Sequence, residues 1–480
     1  MDFLDQFISS AAANFWSVFW WIGPIPIPGP IFILIGTGFL LTISTKVIQV
    51  RKFWLGVKFT MLGAVRKDKS GEFTGDITPF QALMTSLSST VGNGNIAGVA
   101  TAIASGGPGA VFWMWITAVV GMATKYSEAV LAIHFRKVAE DGSMSGGPMY
   151  YIRRGFEGRP FLQHIAAPLA AIFAFFGAWV ALFGTGNMMQ THSMALAFSR
   201  QFNVDYWITG LVVAFLVGLV IIGGIKRIGK TAELLVPAMI LLYFSSALYI
   251  LITNITGIPG ALKWIVVSAF TPQAAIGGFI GHSVKMALQF GIRRGLLSNE
   301  SGLGSTPIAH AASKAKNPVR QGMIAMFDTF IDTLVVCTIT ALVIILTKAY
   351  LVPNPEVPGE TLTSSALTAH AFSSSIPWAG GKIVAICSAL FGYSTLIGWY
   401  YYGERCFEYL FGLKTIKYYK VVYVALAFVG ANLQGEHLQI VWDLGDLSNG
   451  FMAVPNLIGL IFLSGMVYKI TDEYIKGNKV

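Results

Sequence analysis

Eleven apolar stretches succeed one another along the chain, separated by short polar connections: 27–49, 78–104, 109–135, 167–198, 206–224, 232–252, 276–312, 320–347, 378–403, 418–434 and 447–468. Each can supply the roughly 20 residues that carry a helix across a bilayer. Two of them, 78–104 and 276–312, are interrupted. The first interruption reads LSSTVGNG, from Leu87 to Gly94, and the second LSNESGLG, from Leu297 to Gly304. Both fit L-S-x-x-x-G-x-G. With two residues inserted in the second copy the register continues, and Ile96-Ala97 falls on Ile308-Ala309.

The repeat divides the ten spans after 27–49 into five and five. Five is odd, so two consecutive sets enter the membrane from opposite sides and the repeat is expected to be inverted. The predicted architecture is an all-α integral membrane protein of about eleven helices. One extra N-terminal helix precedes a 5+5 inverted repeat with two discontinuous helices. The expected divisions are an interfacial segment 1–26, an extra span with a basic loop 27–77, a first repeat 78–252, and a second repeat with a tail 253–480. Segment 1–26 carries Phe15, Trp16, Phe19, Trp20 and Trp21 ahead of Pro24, Pro26 and Pro28, and reads as an amphipathic helix at headgroup depth.

Composition agrees with a single membrane domain: 54% of the 480 residues are hydrophobic and 12% charged, against about 25% charged in soluble proteins. The net charge of +10 is a topology signal rather than a nucleic-acid footprint. Twenty-five of the 33 Lys and Arg fall in 46–69, 136–166, 225–231, 314–320, 404–421 and 469–480, all on one side of the expected spans. The positive-inside rule makes that side cytoplasmic, with the N-terminus outside and the C-terminus inside. Met1 to Gln6 holds two Asp and no positive n-region, so no cleavable signal is expected. Cys337, Cys387 and Cys406 fall in spans or at a cytoplasmic end, where no disulfide is expected.

A helix broken inside hydrocarbon leaves backbone groups that must find partners, each unsatisfied one costing several kcal/mol. Gly92-Asn93-Gly94-Asn95 is poor helix material. A cation satisfies freed carbonyls, and a substrate carboxylate satisfies N–H groups at a half-helix N-terminus. Hard oxygen donors crowd both breaks: Ser88, Ser89, Thr90, Asn93 and Asn95 in the first, and Ser298, Asn299, Glu300, Ser301, Ser305 and Thr306 in the second. They suit Na+ better than a transition metal. Ser394 and Thr395 form a mid-span pair that either joins such a site or bonds the preceding turn. Substrate contacts are expected from Asn93, Gly94, Asn95 and Ile96, and from Ser298, Asn299, Ser301 and Gly302.

Ionisable residues at depth mark function or interhelical pairing. Asp328 and Asp332 lie four apart on one helix face, as a coupling-ion environment or a structural pair. Arg293 and Arg294 face Asp443 or Asp446 as a candidate outer gate. Lys125 and Glu128 read as bundle ion pairing, and His310 as a packed histidine. Phe173, Phe175, Phe176, Phe391 and Trp399 are candidate pocket walls. No nucleophile elbow, P-loop or HExxH occurs, so enzyme chemistry is not expected.

The run GGPGAVFWMWITAVVG, Gly106 to Gly121, resembles the signature of the alanine or glycine:cation symporter family, the sodium:alanine symporters. SGGPMYYI and GLLSNESGLGSTPIAHAA resemble that family too, and the likeness runs along nearly the whole chain. VGNGNI, Val91 to Ile96, is similar to the first broken helix of leucine-transporter-like sodium symporters. That resemblance implies a leucine-transporter-like fold. It implies one sodium site from the Ser88 and Val91 carbonyls, the Phe391 carbonyl, Ser394 and Thr395. It implies a second from Thr90 and Asn95 near Ser298. The Ser-Thr pair stands in reversed order here. The expected activity is Na+-coupled symport of small neutral amino acids, alanine and glycine, by alternating access in the plasma membrane. Na+ and the lipid bilayer are its implied partners, with no nucleic acid and no obligate protein partner. A proton-coupled carrier of another solute, using Asp328, Asp332 or His310, and a channel remain as alternatives.

Overall fold

A computed structural model of the chain describes residues 19–22, 25–65, 75–271, 283–315, 317–355, 361–434 and 436–478. Phe15, Trp16, the start of the 276–312 stretch and His282 lie outside them. Six helical stretches are long and apolar enough to cross a membrane among the described residues: Gly109–Phe135, Leu162–Phe202, Gly224–Thr253, Pro318–Leu346, Gly380–Phe411 and Ile440–Gly477. Shorter apolar helices include α1 (Gly29–Ser44), α2 (Phe53–Val65) and Tyr206–Ile221.

The first interrupted stretch begins with α3 (Pro79–Thr90), opened by a capping box between Thr78 and Gln81 with Pro79 at the first helical position. It stops at Val91, turns through a π-helical segment at Gly94–Gly98, and resumes as α4 (Val99–Gly106). The unwound part is therefore shorter than Gly92–Asn95. Val91 and Gly92 leave the helix, and the downstream residues re-enter a widened turn of the kind common at functional sites. α5 (Gly109–Phe135) has the ends the sequence predicts and is buried along most of its length.

Two expectations are corrected. The expected span 167–198 is two helices, α6 (Leu162–Phe183) and α7 (Met188–Phe202), parted at Gly184-Thr185-Gly186-Asn187. Asn187 donates to the Tyr423 carbonyl and Tyr423 to the Gly186 carbonyl, so this break is satisfied by side chains. The expected interfacial helix at the N-terminus is, where described, an antiparallel hairpin of β1 (Phe19–Ile22) and β2 (Ile25–Pro28). Pro26 and Pro28 lack the N–H a helix needs, and Ile, Phe and Trp suit a strand.

The chain continues through α8 (Gly224–Thr253) and α9 (Ile258–Ser268) to the second interrupted stretch. There α10 (Val284–Asn299) is capped by Ser283 and ends at Glu300 in the left-handed conformation. Residues 301–306 run without helix until α11 (Pro307–Ala311). α12 (Pro318–Thr329), capped by Asn317, passes through a second π segment, Phe330–Cys337, into α13 (Thr338–Leu346). α14 (Ser364–Ser375) is followed by α15 (Gly380–Phe411), α16 (Ile416–Ala431) and α17 (Glu436–Asn478).

α5 sits at the centre, between α10, α12 and α1. Glycines let it do so. A methyl group on Gly109 would stand 2.4 Å from the Ser268 carbonyl, and one on Gly291 2.2 Å from the Ala110 carbonyl. The outer faces of Tyr206–Ile221 and α8 expose Leu211, Phe215, Leu219, Leu234 and Leu241, a surface for lipid rather than water. Gly109→Leu should therefore cost about 1–3 kcal/mol or more through forced backbone separation. Thermal unfolding of the purified protein should show a lowered midpoint, whereas Leu at the uncrowded Gly36 should leave it unchanged.

Candidate functional site

The two interruptions meet. Gly94 faces the backbone of Ser298, with 3.7 Å between the position of a Gly94 Cβ and Ser298 Cα. Between them lies a cavity of about 150 Å3, walled by Ser89, Thr90, Gly92, Asn93 and Gly94 of the first break and by Leu297, Ser298 and Glu300 of the second. Thr395 and Trp399 of α15, Met189 and Gln190 of α7, and Arg294, Trp442 and Asp446 also line it.

Two buried carboxylates of one helix hold the breaks together. Asp328 accepts from Ser86 Oγ at 2.5 Å and Thr90 Oγ1 at 2.6 Å, both on α3. It also accepts from Lys125 Nζ of α5 at 2.9 Å, and that ammonium donates on to Thr306 Oγ1 at 2.7 Å, in the second break. Lys125 and Asp328 are both fully buried. One turn later, Asp332 accepts from Asn95 Nδ2 at 2.6 Å and from Ser298 Oγ at 3.0 Å, one donor from each break. Thr333 Oγ1 donates to it at 2.7 Å. Charge-assisted bonds of this kind in a dry interior are stronger than neutral ones and costly to leave half-made.

The cavity wall divides the expected site residues. Asn93, Gly94, Ser298, Thr90 and Thr395 line it. Asn95 turns away, closing its own break: Oδ1 accepts the Gly92 N–H at 2.9 Å while Nδ2 goes to Asp332. Ile96 is buried, with its carbonyl accepting from Thr368 on α14. Asn299 donates to Thr333, Ser301 pairs with Thr329, and Gly302 gives its carbonyl to Asn456 of α17. These three brace the second break from outside the cavity.

Ser88, Val91, Phe391, Ser394 and Thr395 lie where α3 abuts α15. A methyl group on Gly92 would stand 2.6 Å from Thr395 Oγ1, and one on Gly398 2.7 Å from Ser88 Oγ. Ser394 and Thr395 both donate to the Phe391 carbonyl, at 2.8 and 2.9 Å. Arg293 pairs with Asp446, and Arg294 lines the cavity beside that pair. Asp443 stands on the same helix as Asp446. Among the aromatic candidates Trp399 lines the cavity. Phe173 packs against Gly304, Phe175 is half exposed, Phe176 stacks on Phe451, and Phe391 packs against Tyr243. His310 is buried, with Nδ1 on Gln321.

Glu300, expected only as one of the oxygen donors of the second break, and Gln190 and Ser388, which carried no expectation, also contribute. Glu300 accepts from Trp399 Nε1 at 2.8 Å and Ser305 Oγ at 2.5 Å at the cavity wall. Gln190 accepts from Asn93 Nδ2 at 3.0 Å, and Ser388 donates to Asn93 Oδ1. The signal for Gln190 was the GTGN run just before it, a polar glycine-rich interruption much like GNGN. The long-range bond of Lys125 to Asp328 has no local signal.

Residues 2–480 match the sodium:alanine symporter family. The sodium/alanine symporter AgcS of Methanococcus maripaludis is 47% identical over 450 residues, covering 93% of this chain and 94% of its own. The chain belongs to this family. The probable sodium/glutamine symporter GlnT of Bacillus subtilis is 38% identical over 454 residues, covering 94% of this chain and 88% of its own. Among solved structures the fold is shared with the Eremococcus coleocola manganese transporter. That likeness has a TM-score of 0.53 at 14% identity, over 84% of this chain and 88% of the other. A member of this family is a multi-pass membrane protein that carries amino acids together with a cation. A cavity walled by backbone at two interrupted helices suits such a cargo, which presents both a carboxylate and an ammonium.

Removing one partner of a buried ion pair leaves the other uncompensated, at about 3–5 kcal/mol. Asp328→Asn should therefore sharply lower the yield and the unfolding midpoint of purified protein. Adding Lys125→Met to Asp328→Asn should restore much of the loss. Equal damage in single and double variants would show that the pair does not act as a unit.

Proposed function

We propose that the protein is a sodium-coupled importer of small neutral amino acids, alanine and glycine foremost, working by alternating access in the plasma membrane. The observation that carries this is the cavity between Gly94 and Ser298, walled by polar backbone and small side chains and lined also by Trp399 and Met189. Such walls leave space for a zwitterion with little side chain. The greater identity to a relative named for alanine than to one named for glutamine supports the same substrate.

In this reading the chain forms eleven spans as a single helix plus two inverted sets of five, with the N-terminus outside and the C-terminus in the cytoplasm. The amino acid's carboxylate meets N–H groups at Asn93 and Gly94, and its ammonium meets the wall formed by Ser298 and Glu300. Na+ is cargo. Asp332 is held by three neutral donors, Asn95, Ser298 and Thr333, so a cation beside it would neutralise a charge the membrane interior disfavours. The oxygens of Ser88, Val91, Phe391, Ser394 and Thr395 are a second candidate cradle. Sodium and substrate would bind the closed arrangement better than the open ones, and that difference shifts the population. One charge moving with the membrane potential supplies about 2.3 kcal/mol per 100 mV. A channel would need a continuous polar path, and a cavity of about 150 Å3 set between two interrupted helices of one chain favours a carrier.

Proteoliposomes should accumulate labelled alanine when an inward Na+ gradient is imposed, saturably, and not when Na+ is replaced by choline. Accumulation that follows a pH gradient without Na+ would favour a proton-coupled carrier instead. Gly94→Leu should abolish alanine uptake with little change in the unfolding midpoint, because its first carbon fits and the rest fills the cavity. Asp332→Asn should raise the Na+ concentration for half-maximal uptake about tenfold or more, the scale of one charged hydrogen bond at about 1.5–3 kcal/mol.

A further inference from the structure

Glu128 stands apart from the other buried acids. It lies on α5 with no exposure to solvent. One oxygen, Oε1, accepts from Asn456 Nδ2 at 2.7 Å, while Oε2 makes no hydrogen bond. The backbone of Gly302 is the further polar group beside the carboxyl. Asp328, in contrast, has an ammonium and two hydroxyls. The charged and titratable groups around Glu128 come from several elements. They are Lys125 on its own helix, Asp328 on α12 and Tyr151 on the helix Pro148–Gly155. Lys125 is the cation of this group, and its ammonium bonds Asp328 and Thr306 rather than Glu128.

An ionised carboxylate in that position would be fully buried, with the Asn456 amide and the Gly302 backbone beside it and no ammonium bonded to it. That costs far more than a neutral acid with one unmatched atom, which costs about 1–3 kcal/mol. Glu300 has an alternative, since it faces the cavity and holds two donors. We propose that Glu128 is a proton-binding site: its carboxyl carries a proton in the closed arrangement and releases it to water when the second break opens. The link is Asn456. Its amide bridges Glu128 Oε1 and the Gly302 carbonyl at 2.9 Å, and Tyr151 donates to its Oδ1. Gly302 lies inside the break at φ +87°, where a side chain would be strained. Movement of the break withdraws Gly302 from Asn456, and water reaches the carboxyl. The acid then dissociates to carboxylate and a hydrated proton.

The sign follows from linkage. A proton bound to the closed arrangement and lost from the open one stabilises closure at low pH, and that contribution disappears as pH rises. Protons would then influence transport from a site separate from the sodium-coordinating oxygens. The transport consequence rests on the symporter reading above, but the protonation state does not.

The test compares wild type with Glu128→Gln, which copies the neutral acid in shape and keeps an oxygen for Asn456. Infrared spectra of the purified full-length proteins at neutral pH in Na+ should differ by a protonated-carboxyl C=O band. Wild type should have it, Glu128→Gln should lack it, and it should fade as wild type is titrated upward. Glu128→Gln should also fold, with the unfolding midpoint of wild type. Loss of carboxylate bands in place of that C=O band, or a variant that does not fold, would overturn the proposal. In proteoliposomes with a fixed Na+ gradient, raising the pH should change wild-type alanine uptake and leave that of Glu128→Gln flat. If neither protein transports alanine while the C=O band is present, the symporter reading fails and the proton site stands.

Discussion

Two carboxylates one turn apart on a single helix hold this structure's interrupted backbone in place. Asp328 joins the hydroxyls of Ser86 and Thr90 to the ammonium of Lys125, which reaches Thr306. Asp332 joins Asn95 to Ser298. Each thus takes or relays donors from both breaks. Interrupted helices survive inside a membrane only where other groups replace the missing ladder bonds. Here the replacements come largely from side chains that also bring the breaks face to face. The cavity between Gly94 and Ser298 is a consequence of that pairing.

α15 forms the other wall. Its Gly398 admits Ser88, and Gly92 across the interface admits Thr395, so the helices approach where larger residues would clash. The same helix runs on to Glu404, Arg405 and Glu408. There Arg405 pairs with both acids and also donates to Ser143 and Ser145 beside the short hairpin of β3 (Lys137–Val138) and β4 (Met144–Ser145). One rigid element therefore connects the cavity wall to a buried ion network at its far end. The two π segments, Gly94–Gly98 and Phe330–Cys337, lie where Asn95 meets Asp332. Widened turns of this kind recur at functional sites, and here both lie at the junction of the two breaks.

Much of this was legible from residue order. The doubled L-S-x-x-x-G-x-G located both interruptions, and the 109–135 span has its observed ends. The i, i+4 spacing of Asp328 and Asp332 placed them on one face. Other features depend on contacts between distant segments. The Lys125–Asp328 bond joins residues 203 apart, and no local pattern reveals it. Asn299, Ser301 and Gly302 have the right chemistry to meet substrate, yet the path of the chain through the break turns them toward Thr333, Thr329 and Asn456. Phe175 carries the signature of a pocket wall but faces outward, because aromatic content alone does not distinguish lipid from cavity. The break at Gly184–Asn187 was hidden by the apolar residues on both sides, although its glycine-rich polar run resembles the first interruption.

The central claim is that the two breaks, held by Asp328 and Asp332, form one site for an amino acid and a sodium ion. A high-resolution map of the purified protein in alanine and Na+ addresses it directly. Amino-acid density between Gly94 and Ser298 is predicted, with the Asp332 bonds to both breaks intact and a cation among the surrounding oxygens. Alanine bound elsewhere, or the breaks standing apart while substrate is present, would contradict the account.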